Sequence, residues 1–184
     1  MKRIIIVFLV AISVMTFTQV VVPLPIFSVP DFDQRNGIIE VFYEVLENNS
    51  TISVTVVFRD EDYPCFLANI LYDVYRYFRY GRIVDIETFY LHLSAEGTVT
   101  VVEFPGVFSG DHTFKDTKNL HGSASFTATE ITFIDGRPLI YVNTWNHMFG
   151  VRASFDKKYE KMIFDYPITR GGRLEAERKY SWLY

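Results

Sequence analysis

The sequence has almost no cysteine, since Cys65 is the only one among 184 residues. Because an intramolecular disulfide needs two cysteines, the hydrophobic core must stabilise this chain without covalent cross-links. A lone cysteine among apolar neighbours is more often a small buried residue than a nucleophile. No cysteine follows the apolar run at the N-terminus either, which argues against a lipoprotein.

A basic surface is missing as well. The formal net charge is −4, the isoelectric point is near 5.6, and the 18 Lys and Arg residues form no run. Phosphate backbones need a net basic stripe or patch, so we expect no nucleic-acid partner. The lack of a polybasic run gives no reason to expect an anionic membrane surface as a partner.

Known catalytic and metal-binding motifs do not occur. The sequence has no His-Glu-x-x-His, no Gly-x-Ser-x-Gly and no Asp-x-Asp-x-Asp-Gly loop. Ser109, Asp111 and His112 are close in sequence, but a Ser-His-Asp triad is a spatial arrangement that adjacent residues seldom form. The sequence therefore leaves open whether the protein is an enzyme.

The N-terminus has the layout of an export signal. Lys2 and Arg3 precede a long apolar run, and no further charge occurs before Asp31. Residues 1–22 are therefore predicted to be an export signal or an N-terminal membrane anchor, because 4–22 approach the roughly 20 apolar residues that span a bilayer. This predicts an extracytoplasmic protein, secreted or anchored, that contacts a membrane only through this segment.

The rest of the chain is predicted to form a tether and one domain. Three prolines among apolar residues favour an extended tether over 23–30. Residues 31–184 have the length of a single globular domain, and the 17 Phe and 12 Tyr of the chain indicate an aromatic core.

Periodicity predicts an α+β fold: a mostly antiparallel β-sheet built from hairpins, with one main helix packed on a face and short C-terminal helical segments. The main helix is predicted over 63–80, with Gly81 as the residue that ends it. Strands are predicted over 37–47, 52–58, 83–93 and 98–104. A hairpin over 125–145 would turn at Asp135-Gly136.

Two further segments complete this prediction. Residues 155–163 have helical spacing, and a charged helix is predicted near 173–183. Residues 105–124 show no clear period, and a structureless loop of this length is often functional.

The strongest candidate for chemistry is the pair Asp85 and Glu87. Successive side chains alternate in a strand, so these two carboxylates point to the same face. With His121, Asp111 or His147 they would offer ligands to a divalent metal, which is the only possible cofactor that the sequence indicates. The alternative is that they pair with nearby arginines, of which Arg76, Arg79, Arg82 and Arg137 are candidates.

Residues 81–87 resemble the Gly-x-x-x-Asp-x-Glu skeleton of the metal-binding heptapeptide in necrosis-inducing proteins, which are secreted β-sandwich toxins. The likeness covers three residues of seven, namely Gly81, Asp85 and Glu87. The histidine ligand of that heptapeptide is absent here, because 82–84 read Arg-Ile-Val. We therefore assign no family.

A second candidate site lies at the end of the predicted hairpin. Asn143, Trp145, Asn146 and His147 are dense in hydrogen-bonding groups, and Asn with Trp is a combination typical of carbohydrate recognition. We interpret the protein as a non-catalytic module that binds a ligand or an envelope partner through this segment and the loop at 105–124. The alternative is a divalent-metal-dependent hydrolase that uses Asp85, Glu87 and a histidine.

Overall fold

The computed structural model describes residues 22–46, 50–110 and 112–184. All of the predicted export segment except Val22, and the candidate ligand Asp111, lie outside the described residues. The strands are β1 (Ile26–Pro30), β2 (Ile38–Val45), β3 (Thr51–Phe58), β4 (Asp85–Leu93), β5 (Val99–Phe108), β6 (Gly122–Thr127), β7 (Phe133–Ile134), β8 (Arg137–Val142), β9 (Phe149–Gly150), β10 (Glu160–Ile163) and β11 (Ile168–Arg170). The helices are α1 (Phe66–Tyr80) and α2 (Arg173–Tyr180), and 3₁₀ turns lie at Asp31–Asn36, Ala128–Glu130 and Lys157–Tyr159.

The strands of the described residues form one curled, mixed sheet. Its order is β10-β1-β8-β9-β5-β4-β3-β2-β11, with β6 beside β5 and β7 beside β8. Three pairs are parallel: β1 with β8, β2 with β11, and β5 with β9. The predicted α+β fold with a mostly antiparallel, hairpin-built sheet is therefore wrong. Parallel pairing joins segments far apart in the chain, for which no local turn signal exists.

The consecutive strands β2 to β5 form an antiparallel unit, and here local alternation predicted each strand. All eight residues of β3 are buried, because β3 lies inside the sheet and is covered on both faces. Val54 and Val56 contribute to a core that contains Phe27, Phe89 and Phe149 in ring contact.

Residues 26–30 belong to the segment that was predicted to be a tether because of its prolines. In the structure they form β1 inside the sheet. This strand lies between β8 and β10, and Phe27 is fully buried. The described folded part therefore begins before Asp31. Burial of Ile26, Phe27 and Val29 outweighs the preference of the flanking prolines for a solvated extended chain.

The Asp135-Gly136 turn is confirmed, but the long hairpin around it is not. Both turn residues have positive φ, at 51° and 76°, as a type I′ turn requires. However, β7 has only two residues, and residues 125–127 lie in β6, which pairs with β5. The helical spacing over 155–163 was misleading as well, since 160–163 form β10 against β1.

Helix α1 ends as predicted at Gly81, which has a left-handed φ of 67°. Its predicted packing on a sheet face is wrong, because the polar side of α1 faces the body of the protein. Arg76 is 1% exposed, whereas Phe66 and Phe78 are 78% and 70% exposed. It is α2 that covers the sheet, where Ala176 packs on Phe42, Val57 and Ile86. Among the described residues, none of the helices has the length and apolarity to cross a membrane.

Candidate functional site

One end of the sheet gathers the candidate residues around a small polar cavity. β3 leads through α1 to β4 at this end, the 3₁₀ turn after β1 supplies Asp33, and the segment after β8 supplies His147. The cavity has a volume of about 160 Å³. Its walls are Glu61, Tyr72, Arg76, Tyr80, Arg82, Asp85, Glu87, His121, Asn146 and Arg173. Asp85 and Glu87 therefore do share a face, as strand alternation predicts.

Asp85 forms a buried ion pair with His147. The Nδ1 atom of His147 lies 2.9 Å from Asp85 Oδ2, and its Nε2 atom lies 3.5 Å from Asp33 Oδ2, an ion-pair distance without hydrogen-bond geometry. The imidazole also stacks on Phe58 with ring centroids 3.9 Å apart. Burial alone would lower the pKa of His147, but Asp33 and Asp85 outweigh it and raise that pKa to about 9. His147 is therefore a buried imidazolium at neutral pH.

The tight turn after β8 orients this histidine. His147 has a positive φ of 56°, and its amide donates to the carbonyl oxygen of Thr144. Thr144 Oγ1 accepts a hydrogen bond from the amide of Met148. Burial favours the neutral form of Asp85, yet His147, Arg76 and Arg82 together hold the pKa of Asp85 below its ordinary value. Asp85 is therefore ionised.

Glu61 lines the same cavity, together with Arg76 from α1. Arg76 Nε lies 2.9 Å from Glu61 Oε1, and the Tyr72 hydroxyl donates to the same oxygen at 3.0 Å. Arg76 also donates to Asp60 Oδ1 at 2.8 Å and to the carbonyl oxygen of Ile83. Burial and the charge of Asp85 raise the pKa of Glu61 to about 7 in spite of Arg76. A proton on Glu61 is therefore exchangeable near neutral pH.

Glu87 has weaker compensation than its neighbours. Its Oε2 atom lies 3.8 Å from Arg173 Nη1, and its side chain is 14% exposed. Burial, followed by repulsion from Asp85, raises the pKa of Glu87 well above its ordinary value. The nearby Arg82 is committed elsewhere, because it makes two hydrogen bonds to Glu177, at 2.9 and 3.1 Å. The cavity thus holds one ionised carboxylate beside two whose pKa values are raised.

The four predicted ligand-binding residues have different environments. Asn143 donates to the carbonyl oxygen of Arg152 and accepts from the amide of Ser154, so its side chain holds a loop. Trp145 is buried and donates through Nε1 to the carbonyl oxygen of Asp116. Asn146 lines the cavity, and His147 lies behind it.

The predicted loop at 105–124 does meet this segment. The amide of Trp145 donates to the carbonyl oxygen of Phe114, and Asn146 Nδ2 lies 3.4 Å from His121 Nε2. The structureless part is shorter than predicted, because β5 continues to Phe108 and β6 begins at Gly122. The loop therefore brings His121 to the cavity wall.

Both interpretations of Asp85 and Glu87 find some geometric support. His121 lines the same cavity as the two carboxylates, as a metal site would need. Within the described ranges, however, no three His, Cys, Asp or Glu side chains are grouped to hold a metal ion. Of the predicted arginine partners, Arg76 and Arg82 lie at the site, whereas Arg137 binds carbonyl oxygens near Leu24. The divalent metal stays a prediction.

Sequence reasoning did not single out Glu61 or Arg173, which complete the cavity. Glu61 lies in the acidic stretch before α1 and has the form of a helix-capping residue in the sequence. Arg173 comes from α2, more than eighty residues after Asp85, and no local pattern links the two. Only the tertiary contacts show that these side chains converge.

A larger groove of about 520 Å³ lies beyond Asn143. Its lining is more apolar, with Phe108, Phe126 and Val151 among the side chains. Ser109 Oγ and His112 Nδ1 are buried there without a hydrogen-bond partner among the described residues.

Comparison with known proteins adds no assignment. Neither a protein-family model, nor a curated protein, nor a solved structure matches this chain. Any function must therefore be argued from the geometry of the site.

Proposed function

We propose that this chain is an exported domain that binds a small polar ligand in the cavity between α1, β4 and the segment after β8. The observation that supports it is a small cavity walled by carboxyl and guanidinium groups, most of which are buried. Three of each line it, namely Glu61, Asp85 and Glu87 with Arg76, Arg82 and the partly exposed Arg173.

Buried charges of this kind do not arise from stability alone. Removing ions from water costs several kcal/mol each, and an apolar replacement of similar volume is often as stable or more so. Glu87 illustrates this cost, since its raised pKa means that the fold disfavours its charged form. A ligand that donates hydrogen bonds to these carboxylates and accepts them from the arginines would compensate for that cost.

The size of the cavity limits the ligand. A volume near 160 Å³ holds roughly five water molecules at about 30 Å³ each. This suits one sugar ring or one amino acid, and Tyr72 and Tyr80 would give such a molecule two aromatic walls. We therefore expect a small hydroxylated or zwitterionic ligand rather than a polymer.

A panel of monosaccharides, polyols and amino acids, screened by the melting temperature of the full chain, tests this function. A true ligand raises the melting temperature once its concentration exceeds the dissociation constant, and the stabilisation grows with the logarithm of the ratio of the two. Asn146→Ala and Glu61→Gln should abolish the rise. Glu96→Gln, an exposed change outside the cavity, should keep it. No rise with any compound, or a rise that all three variants retain, would contradict the proposal.

The export of the chain is part of this proposal and rests on residues 1–22 alone. Cell fractionation and N-terminal sequencing of the mature protein test it. A protein found outside the cytoplasm supports export, and its first residue then shows whether the segment is cleaved or serves as an anchor. A cytoplasmic protein that retains Met1 would contradict it.

The second candidate function is a divalent-metal-dependent hydrolase, and the shared cavity wall of Asp85, Glu87 and His121 favours it. The chemistry of these ligands suits a hard or borderline cation, although Arg173 competes for Glu87. Stoichiometric metal in the purified protein, with a melting temperature that metal raises and Asp85→Ala/Glu87→Ala loses, would support it. An absence of bound metal and of any thermal shift would exclude this function.

A further inference from the structure

Helix α1 is oriented opposite to an ordinary surface helix. Its polar side chains contact the body: Asn69 accepts from the amide of Tyr63 and donates to Asp62, and Arg76 lies in the charge cluster described above. An amphipathic helix on a soluble domain normally turns its apolar side inward. The apolar side of α1 is therefore left for a contact outside the described fold.

The exposed side forms one continuous surface, here called the α1 stripe. Its members recur at helical spacing, and each is between 50% and 78% exposed. They are Phe66, Leu67, Ile70, Leu71, Val74 and Phe78. The C-terminus widens the stripe, since the ring of Trp182 lies 5.8 Å from that of Tyr77 and is itself 56% exposed.

The stripe is too large to be incidental. Six side chains exposed to this degree present roughly 700 Å² of apolar surface, above the 300–600 Å² of the largest patch on a typical monomer. Stable protein interfaces bury about 800 Å² on each partner. The α1 stripe with the adjoining C-terminal aromatic residues meets that requirement.

We propose that the α1 stripe is the interface between two copies of this chain, packed with their α1 helices antiparallel across a two-fold axis. The order of the stripe supports this arrangement. An axis at the level of residue 72 places Phe66 of one copy opposite Phe78 of the other, and Ile70 opposite Val74. A two-fold interface must be self-complementary in this way, and two-fold dimers are the commonest oligomers.

The composition of α1 favours a second copy of the chain as the partner rather than a lipid surface. Antiparallel packing places the C-terminal end of each α1 beside the N-terminal end of the other, so that the two helix dipoles oppose each other. A lipid-binding surface helix instead exposes a face rich in Lys and Arg, which α1 does not have.

Sedimentation equilibrium of the full chain tests the interface through its mass. The wild type should be a dimer, and Val74→Glu should be a folded monomer, with a dissociation constant raised by roughly 100-fold or more because a charge enters the centre of the stripe. Leu174→Glu, on the exposed side of α2, is the matched control and should remain a dimer. Circular dichroism establishes that each variant is folded.

Disulfide trapping tests the geometry. In a Cys65→Ser background, Ile70→Cys and Val74→Cys chains are mixed and oxidised. Antiparallel packing predicts that the mixed pair cross-links faster than either chain with itself, whereas preferred Ile70→Cys self-pairing would contradict it. A monomeric wild type overturns the proposal. This holds for a monomer that binds phosphatidylcholine vesicles, and equally for a monomer whose α1 stripe is covered by residues 1–21. A dimer that Val74→Glu leaves intact overturns it as well.

Discussion

His147 shows how one buried side chain links the stability of this protein to pH. Its folded pKa, raised to about 9 from an ordinary 6.5, means that the folded state binds a proton that the unfolded state releases earlier. Its stabilisation is therefore fully present below about pH 6.5 and is lost as the pH rises through about 9. The full effect is on the order of 3 kcal/mol.

The prediction is a fall in the free energy of unfolding between about pH 7.5 and 9.5, measured with urea. Glu61 acts in the same direction, because its pKa is raised to about 7, but its contribution is lost at lower pH. Glu87, whose pKa is also raised, acts in the same direction, so the contribution of the histidine is the difference between the wild type and a variant without it. His147→Asn should flatten the profile there, and an unchanged slope in this variant would contradict the assignment.

Arg76 allows a second test at the same scale. It is 1% exposed and pairs with the buried Glu61 and the partly exposed Asp60, so Arg76→Met leaves both carboxylates without their cation. We expect a loss of about 3–5 kcal/mol in the free energy of unfolding. Arg79→Met, an exposed change three residues along the same helix, should stay within about 0.5 kcal/mol. Equal effects would mean that the carboxylates do not need Arg76 to compensate for their burial.

At the scale of elements, the end of α1 depends on Gly81. Its φ is +67°, and a Cβ built there would lie 2.5 Å from both Ser181 Oγ and Leu183 Cγ. Gly97 has a similar φ of +81° but open space around it. Alanine is strained by the left-handed conformation at both positions, and only at Gly81 does it also clash with neighbouring atoms. The free energy of unfolding, measured with urea, should therefore fall by about 1 kcal/mol more for Gly81→Ala than for Gly97→Ala. An equal loss would show that the C-terminus does not pack against this turn.

The helices and strands also show which structural features can be predicted from the sequence. Alternation and a turn signal define β3, β4 and the Asp135-Gly136 turn because their determinants lie within a few residues. The same is true of α1 and its stop at Gly81. By contrast, β1 pairs with β8, which lies more than a hundred residues away in the chain. The prolines in and before β1 led to the prediction of a tether instead of a strand. Which strand a given strand pairs with, and whether the pair is parallel or antiparallel, depends on how side chains from distant segments are buried together. A local sequence pattern carries no information about this.

In the candidate site, too, some features could be predicted from the sequence and others could not. Asp85 and Glu87 share a face because strand geometry requires it, so this part was accessible from the sequence. The contact of His147 with Asp85 joins segments more than sixty residues apart and was not. Asn143 and Trp145 had suitable chemistry for a ligand, but the fold uses their polar groups to hold neighbouring backbone.

At the scale of the whole molecule, the account depends on buried charges being kept for a ligand rather than for stability. Proteins often accept such costs at binding sites, where a change that removes function raises stability. Glu87 decides between the two explanations. Its raised pKa shows that the fold disfavours its charge, and Arg173 compensates only at 3.8 Å.

The most direct test is the free energy of unfolding of Glu87→Gln, measured with urea near pH 8 beside the wild type. A neutral amide of the same size removes the cost of the buried charge. The account predicts a variant that is as stable as the wild type or more stable by about 1 kcal/mol, and that no longer binds the ligand. A loss of more than about 2 kcal/mol would contradict it, because Glu87 would then belong to a stabilising ion network.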